Sequence, residues 1–411
     1  MPRAIAPDQL AEVLPPGGLT LVSGCSADST VLLDAVEAAG EALGAMTFSG
    51  IFVGGLNRRT WRAGLDSRVL SFFLTPELRA ERERVEFLPL CYEDLIAELR
   101  RRRPAAMLLM CAPPDASGMC SFGTEVGVLA DFWREVPVRI AHINPLMPRT
   151  AGDSGIPYDA LTAVIDHAQP LAAMESGRDD PVADAIAGHI APLVPNGATL
   201  QTGLGKVPDA AMRALTGHRD LRAHTGLLGE GLLDLVHSPA MADGPSAVVG
   251  VAIGDEAFYG RLDHPRLDFR PASVTHDPDV LRAIPDFITI NSALEVDLFG
   301  QVYSELTPKG LMSGPGGASD YARGARGHGV RIIALPASAA RGAVSRIVPA
   351  GTPAGPVSLG RMDVDVIVTE HGAADLRGLG HDARAQALIA IAAPDHRDSL
   401  ADGWDAFARR L

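Results

Sequence analysis

Short apolar runs alternate along the chain with segments whose apolar residues recur three and four positions apart. The runs are typical of strands buried on both faces. They lie at residues 20–22, 107–110, 138–143, 199–201, 248–253, 330–335 and 364–369. The helical spacing is clearest in Val182, Ala185, Ile186, Ile190 and Leu193, which share one predicted helix face. This alternation predicts an α/β fold with two mostly parallel sheets.

Two short motifs occur twice in the chain. Residues 16–24 read PGGLTLVSG, and residues 195–203 read PNGATLQTG. Residues 115–118 (DASG) follow the apolar run 107–110, and residues 297–300 (DLFG) follow the apolar run 287–290. The two copies of this second motif are 182 residues apart (300 − 118), close to the 179 residues (203 − 24) that separate the copies of the first. Two coincidental turns are the alternative, but a shared offset favours duplication. We therefore predict two similar tandem domains, residues 1–180 and 181–411, with a ligand cleft between them.

Composition excludes several classes of protein. The 411 residues are 47% hydrophobic and 21% charged, as in ordinary globular proteins, and the net charge of −14 argues against nucleic-acid binding. No apolar stretch is long enough to predict a membrane span. The four cysteines lack zinc-site spacing, and the N-terminus lacks a long apolar segment. These features predict a reduced cytoplasmic protein that needs no metal and no permanently bound cofactor.

Two glycine-rich loops are candidates for ligand binding. Residues 201–205 (QTGLG) follow a predicted strand, and residues 313–320 (SGPGGASD) contain three glycines in four positions. Glycines let the backbone approach a ligand, and successive amides are suited to an oxyanion hole. Tight structural turns remain the alternative for both loops. The candidate binding residues are Thr202, Gly203, Gly205, Gly314, Gly316 and Gly317.

A proline-stiffened loop follows the predicted strand at residues 138–143. Asn144 and Arg149 in this loop would project from the end of the strand towards a ligand. The alternative is a structural crossover, which the two prolines of the loop favour.

Six motifs together resemble the acetyl-CoA hydrolase/transferase family, which includes acetate and 4-hydroxybutyrate CoA-transferases. They are residues 144–150 (NPLMPRT), 200–205 (LQTGLG), 295–302 (EVDLFGQV), 313–317 (SGPGG), 344–349 (VSRIVP) and 368–378 (VTEHGAADLRG). The resemblance implies two similar CoA-transferase domains, a homodimer, and an acyl-CoA and a small carboxylic acid as substrates. It also implies that both glycine loops bind CoA and supply oxyanion amides.

The chain departs from this family at one position. The resemblance implies that a glutamate attacks the thioester, forming a mixed anhydride and then an enzyme–CoA thioester. Residues 223–231 read AHTGLLGEG, so Gly226 follows His224 and Thr225 where that glutamate is expected. A glycine has no side chain with which to form an anhydride, so transfer by the family's covalent route is in doubt.

Three interpretations of Gly226 stay open at the level of sequence. Glu230, the nearest carboxylate, acts as a displaced nucleophile or as a base for water. Alternatively, water occupies the space that the missing side chain leaves and hydrolyses the acyl-CoA, with oxyanion amides stabilising the transition state. Finally, the protein binds CoA-linked ligands and catalyses a different reaction or none. Glu230 as a structural loop carboxylate and His224 as a structural histidine are the competing assignments.

Overall fold

The computed structural model describes residues 1–152, 155–174, 180–307, 310–353 and 355–410. Within them the first half of the chain forms an eight-stranded sheet in which all neighbouring strands are parallel. In spatial order its strands are Arg3–Ala4, Ala163–Asp166, Val138–Ile143, Ala106–Cys111, Gly18–Val22, Met46–Ser49, Arg68–Ser71 and Val85–Phe87.

The second half of the chain forms another eight-stranded sheet. Neighbouring strands of this sheet are parallel, except that the last pair is antiparallel. In spatial order its strands are Leu267–Phe269, Ala247–Ala252, Arg222–Leu228, Thr199–Thr202, Phe287–Ser292, Val330–Ala334, Val366–Thr369 and Gly372–Asp375. The predicted α/β fold with mostly parallel sheets is therefore confirmed.

Helices connect the strands of both sheets. The α-helices are Thr30–Ala39, Pro76–Ala80, Tyr92–Arg102, Gly127–Phe132, Pro181–Ile190, Lys206–Ala214, Glu230–His237, Glu256–Tyr259, Ala272–Thr275, Pro278–Ala283, Ala318–Gly324, His381–Ala390 and Arg397–Ala408. Short 3₁₀ turns lie at Pro7–Glu12, Cys25–Ala27, Gly40–Leu43, Arg82–Arg84, Tyr158–Ala160, Ala191–Leu193 and Pro394–His396. None of the helices in the described ranges is long and apolar enough to cross a membrane.

Smaller strand pairs complete the described secondary structure. Met119–Ser121 pairs with Gly155–Pro157, and Glu295–Asp297 lies between Val302–Tyr303 and Ile347–Val348. The remaining two ribbons are Leu306–Thr307 with Gly310–Leu311, and Ser338–Ala339 with Val344–Ser345.

The helix Pro181–Ile190 shows where the predicted apolar face needs correction. Ile186 and Ile190 are buried as expected, but Val182 is 37% exposed. Ala183 and Ala187 complete the buried face instead. Each alanine lies three positions before one of the isoleucines, so a face of the same helical period is rotated towards smaller side chains.

Apart from the edge strands Arg3–Ala4 and Gly372–Asp375, the two sheets share the order of their seven other strands, which are all parallel. In each sheet the first strand of the series has the next three strands on one side and the last three on the other. The first repeated motif spans the strand Gly18–Val22 in one half and the strand Thr199–Thr202 in the other. These two strands occupy equivalent places in the two sheets. Gly18 and Gly197, at matching motif positions, both have φ of +79°. This agreement supports a duplication.

The second repeated motif forms the same turn in both halves. The Asp115 carboxylate accepts hydrogen bonds from the amides two and four residues later, and the Asp297 carboxylate does the same. Gly118 and Gly300 close these turns with φ of +81° and +82°, a conformation that favours glycine. The predicted domain bounds, 1–180 and 181–411, stay a prediction, and residues 175–179 beside them lie outside the described ranges.

The halves pack against each other near the carboxyl ends of their central strands. The Ser26 hydroxyl donates to the Ala252 carbonyl at 2.8 Å, and Glu125 forms a backbone bridge with Val251. One buried apolar cluster contains side chains from both halves. Because strand ends of both sheets meet here, a ligand site at this place can draw residues from either half.

Candidate active site

A cavity of about 270 Å³ lies where the two halves meet. The first half contributes Cys25, Ile51 and Phe73, each of which follows a parallel strand. The second half contributes residues at the carboxyl ends of Thr199–Thr202 and Arg222–Leu228. The other residues of the cavity wall are Phe52, Val53, Gly54, Leu74, Thr75, Tyr92, Gln201, Thr202, Gly203, Leu204, Thr225, Gly226, Leu227, Val251, His276, Asn291, Met312, Ser313, Gly316, Gly317, Ala318 and Tyr321.

Gly226 lines this cavity, but the space beside its α-carbon is filled. A β-carbon added at Gly226 would lie 2.5 Å from His276 Cε1, 2.8 Å from His276 Nε2 and 3.1 Å from the Tyr321 hydroxyl. Carbon atoms in good contact are about 3.5–4.0 Å apart. The imidazole of His276 therefore excludes water from the β-carbon position, and a hydrolytic water further out in the cavity stays a prediction.

His276 is fixed by contacts on several sides. Its ring stacks on Tyr92, with centroids 4.0 Å apart and planes inclined by 15°. Its Nε2 lies 3.1 Å from the Tyr321 hydroxyl, and its Nδ1 lies 2.9 Å from Thr275 Oγ1. The Thr275 hydroxyl donates to the Pro271 carbonyl at 3.5 Å. This arrangement favours the tautomer in which Nδ1 carries the proton and Nε2 accepts from Tyr321.

The ionisable groups of the cavity wall are held in their neutral forms. Burial, assisted by neighbouring His224, lowers the pKa of His276 to about 3. Burial raises the pKa of Tyr321, partly opposed by a hydrogen bond from the Gly226 backbone. Burial and the nearby Glu125 carboxyl raise the pKa of the Cys25 thiol. At neutral pH these groups therefore act as hydrogen-bonding or apolar surfaces rather than as charges.

No aspartate, glutamate, lysine or arginine of the described ranges lines the cavity. A carboxylate is the group that covalent CoA transfer requires. The site therefore lacks, among these residues, the nucleophile that the family resemblance implies.

The glycine loops reach the cavity only in part. Thr202, Gly203, Gly316 and Gly317 line it as predicted. Gly205 instead precedes the helix Lys206–Ala214, with φ of +124°. Gly314 is also off the wall, and a β-carbon there would meet the Phe72 carbonyl at 1.9 Å. Close backbone packing therefore explains Gly314.

Glu230 does not reach the cavity. It is buried at the first position of the helix Glu230–His237, and its carboxylate lies 3.6 Å from Arg261 Nη1. A carboxylate at this position is also favoured by the helix dipole. The structure thus gives Glu230 a structural role and separates it from Gly226.

His224 is buried behind the cavity wall, on the same strand as Gly226. Burial lowers its pKa, and hydrogen bonds to the backbone of Val274 and Thr275 partly oppose this effect. Its Nε2 has no hydrogen-bond partner among the described residues. His224 is therefore a neighbour of His276 and not a group that touches a ligand in the cavity.

Asn144 and Arg149 hold loops together, in agreement with the structural alternative. Asn144 donates to the Gln169 carbonyl at 2.7 Å and accepts from the Leu146 amide at 3.1 Å. Arg149 contacts the Asp115 carboxylate and the Met119 carbonyl at 3.4 and 3.3 Å. Neither side chain lines the cavity, which favours the structural alternative, and a position at a ligand stays a prediction for both.

Sequence reasoning missed Tyr92, His276 and Tyr321. These residues lie in different segments and form no motif, so only packing brings their rings together. The described residues also contain no cluster of His, Cys, Asp or Glu arranged to hold a metal ion. That no metal or bound cofactor is needed stays a prediction.

Comparison with known proteins identifies the family. The C-terminal domain of acetyl-CoA hydrolase/transferases matches residues 254–403. A succinyl-CoA:acetate/propanoyl-CoA:succinate CoA transferase of Fasciola hepatica is 35% identical over 331 residues, covering 77% of this chain and 69% of the transferase. A 4-hydroxybutyrate coenzyme A transferase of Clostridium kluyveri is 32% identical, covering 77% and 76% of the two chains. The chain belongs to the acetyl-CoA hydrolase/transferase family.

Members of this acetyl-CoA hydrolase/transferase family are named for two reactions of acyl-CoA. Besides the transferases, an acetyl-CoA hydrolase of Eremothecium gossypii is 29% identical, covering 66% of this chain and 56% of the hydrolase. The crystal structure of RipA from Yersinia pestis has the same fold over 99% of this chain and 98% of RipA, with a TM-score of 0.91 and 28% identity. Membership therefore supports acyl-CoA processing, and the cavity must indicate the reaction.

Proposed function

We propose that this chain is an acyl-CoA-processing enzyme in which water, rather than a protein carboxylate, removes the acyl group from CoA. The observation that supports this proposal is the filled space beside Gly226, in a cavity where no described residue supplies a carboxylate. An enzyme–CoA thioester needs such a carboxylate to hold the CoA between two half-reactions. Hydrolysis needs none.

The proposed reaction uses the groups that line the cavity. The thioester carbonyl oxygen faces the backbone amides at Thr202–Gly203 and Gly316–Gly317, which stabilise the oxyanion of the tetrahedral intermediate. Water adds to the carbonyl carbon and gives its proton to His276 Nε2 as the Tyr321 hydroxyl turns away. The carbon–sulfur bond then breaks, and the CoA thiolate takes that proton. The products are a carboxylic acid and the CoA thiol.

His276 is a weak base for this step, because its pKa lies well below neutral pH. General-base catalysis is most effective when the pKa of the base is near the working pH. We therefore expect slow hydrolysis that depends mainly on stabilisation of the oxyanion.

A second candidate function is binding of CoA thioesters without turnover. It is favoured by the hydrogen bond between the Tyr321 hydroxyl and His276 Nε2, because His276 is the one histidine of the described cavity wall and this bond already occupies the nitrogen that would accept a proton from water. The homodimer, the cytoplasmic location and the two tandem domains remain further proposals, supported by the family resemblance and the shared strand order of the sheets.

Product analysis tests these alternatives. The purified protein is incubated with acetyl-CoA, butyryl-CoA or hexanoyl-CoA, with and without labelled acetate. Free CoA thiol and labelled acetyl-CoA are measured. Release of CoA that ignores acetate supports hydrolysis, whereas label in acetyl-CoA would show transfer and overturn the proposal. Binding of CoA without either product would favour the second candidate.

The variant His276→Gln provides the mechanistic control. Glutamine keeps a hydrogen-bonding side chain but has no basic nitrogen. We expect hydrolysis to fall at least tenfold in His276→Gln with little change in CoA binding. Unchanged hydrolysis would remove His276 from the mechanism.

A further inference from the structure

The cavity wall is apolar on both sides. The first half contributes Ile51, Val53 and Phe73, and the second half contributes Leu227 and Val251. No charged side chain of the described ranges lines it. A ligand group inside the cavity therefore meets mainly hydrocarbon, which favours burial of apolar atoms by roughly 25 cal/mol for each Å².

Four polar side chains of the wall are bonded to one another in two pairs. Gln201 and Asn291 exchange two hydrogen bonds between their amide groups, at 3.2 and 2.9 Å. His276 and Tyr321 form another pair at 3.1 Å. Neutral donors, such as the second N–H of each amide and the Ser313 hydroxyl, remain for a carboxylate on the acyl group. No described residue of the wall carries a positive charge that would offset the cost of taking that carboxylate out of water.

Two acidic groups lie behind the wall, beside Tyr92 and Cys25. The Asp320 carboxyl accepts a hydrogen bond from the Tyr92 amide at 3.0 Å, and burial raises its pKa to about 6. The Glu125 carboxyl accepts from the Gly24 amide at 3.0 Å. When ionised, both carboxyls repel an anion.

We propose that the substrate's acyl group is neutral and apolar, and that a short acyl group ending in a carboxylate is rejected. This inference rests on the proposed function, because it assigns the acyl group to this cavity. The 270 Å³ volume equals about nine water molecules in the liquid. It therefore fits an acyl group of roughly six to nine non-hydrogen atoms.

Calorimetric binding of non-hydrolysable CoA thioethers tests the inference without turnover. S-hexyl-CoA and S-(3-carboxypropyl)-CoA carry substituents of matched size, one apolar and one ending in a carboxylate. We expect S-hexyl-CoA to bind at least 100-fold more tightly. From S-ethyl-CoA to S-hexyl-CoA, affinity should rise about fourfold for each methylene. Equal or tighter binding of S-(3-carboxypropyl)-CoA would overturn the inference.

A charge added to the wall should change this preference. Met312 lines the cavity yet is 45% exposed, so Met312→Lys places an ammonium group there without disturbing the core. We expect Met312→Lys to lower the ratio of the S-hexyl-CoA affinity to the S-(3-carboxypropyl)-CoA affinity about tenfold. The matched variant Met312→Gln has similar length and no charge, and should leave the ratio unchanged. An unchanged ratio in Met312→Lys would contradict the assignment.

The outcomes also separate this inference from the proposed reaction. Preferential binding of S-hexyl-CoA together with no release of CoA from hexanoyl-CoA would overturn hydrolysis and leave the apolar acyl site standing. If free CoA binds but S-hexyl-CoA binds no more tightly, the acyl site is wrong, whatever the turnover.

Discussion

The fit between Gly226 and His276 makes a direct prediction for a double-mutant cycle. The variant Gly226→Ala adds one methyl group at a position 2.5 Å from His276 Cε1, about 1 Å inside normal contact. The backbone at Gly226 is not in the left-handed region, so the added methyl group brings steric overlap rather than backbone strain. His276 cannot move aside freely, because Tyr92 and Tyr321 hold its ring.

The expected magnitudes follow from the crowding. Gly226→Ala should lower the free energy of unfolding by about 1–3 kcal/mol, the usual cost of an extra methyl group in a packed core. His276→Ala should cost about 1–3 kcal/mol, because it removes packing and leaves the Tyr321 hydroxyl without its partner. In the double variant the overlap is gone, so the combined loss should fall short of the sum by at least about 1 kcal/mol.

Urea unfolding followed by circular dichroism gives the four free energies of the cycle. Gly217→Ala serves as the control, since an added β-carbon there meets no atom within 4 Å. It should change stability by less than about 0.5 kcal/mol in either background. The reasoning is refuted if Gly226→Ala is as stable as the original chain, or if its effect adds to that of His276→Ala.

Three further predictions concern the same site. Gly226→Glu alone should not form a borohydride-sensitive enzyme–CoA thioester, whereas Gly226→Glu with His276→Ala should, as judged by intact mass; success of the single variant would contradict the assigned overlap. Burial lowers the pKa of His276, so at pH values below about 6.5, the ordinary pKa of histidine, the unfolded state binds a proton that the folded state does not. The free energy of unfolding therefore decreases as the pH is lowered through that range. Relative to His276→Phe, the original chain should lose about 2 kcal/mol more between pH 7 and pH 5 in urea titrations; parallel profiles would mean that His276 is protonated as easily in the fold as out of it. Glu230→Ala should leave hydrolysis within about twofold and lower stability by breaking the contact with Arg261; loss of turnover at unchanged stability would restore Glu230 as a catalytic group.

The sequence by itself determined the fold class, the positions of seven strands of the two sheets and the family. Buried parallel strands require continuous apolar runs, and that requirement is local, so runs such as 138–143 could be placed within one or two residues. The order of the motifs and the glycine at position 226 were equally visible, because each depends on neighbouring residues in the chain.

Only the tertiary structure decided what surrounds Gly226. The missing side chain suggested a space for water or a substitute carboxylate at Glu230, yet His276 occupies the β-carbon position and Glu230 contacts Arg261. The rings of Tyr92, His276 and Tyr321 come from distant segments and leave no periodic signal. Their contact depends on how two sheets pack at their strand ends, and side-chain packing between distant segments is not encoded in any local pattern.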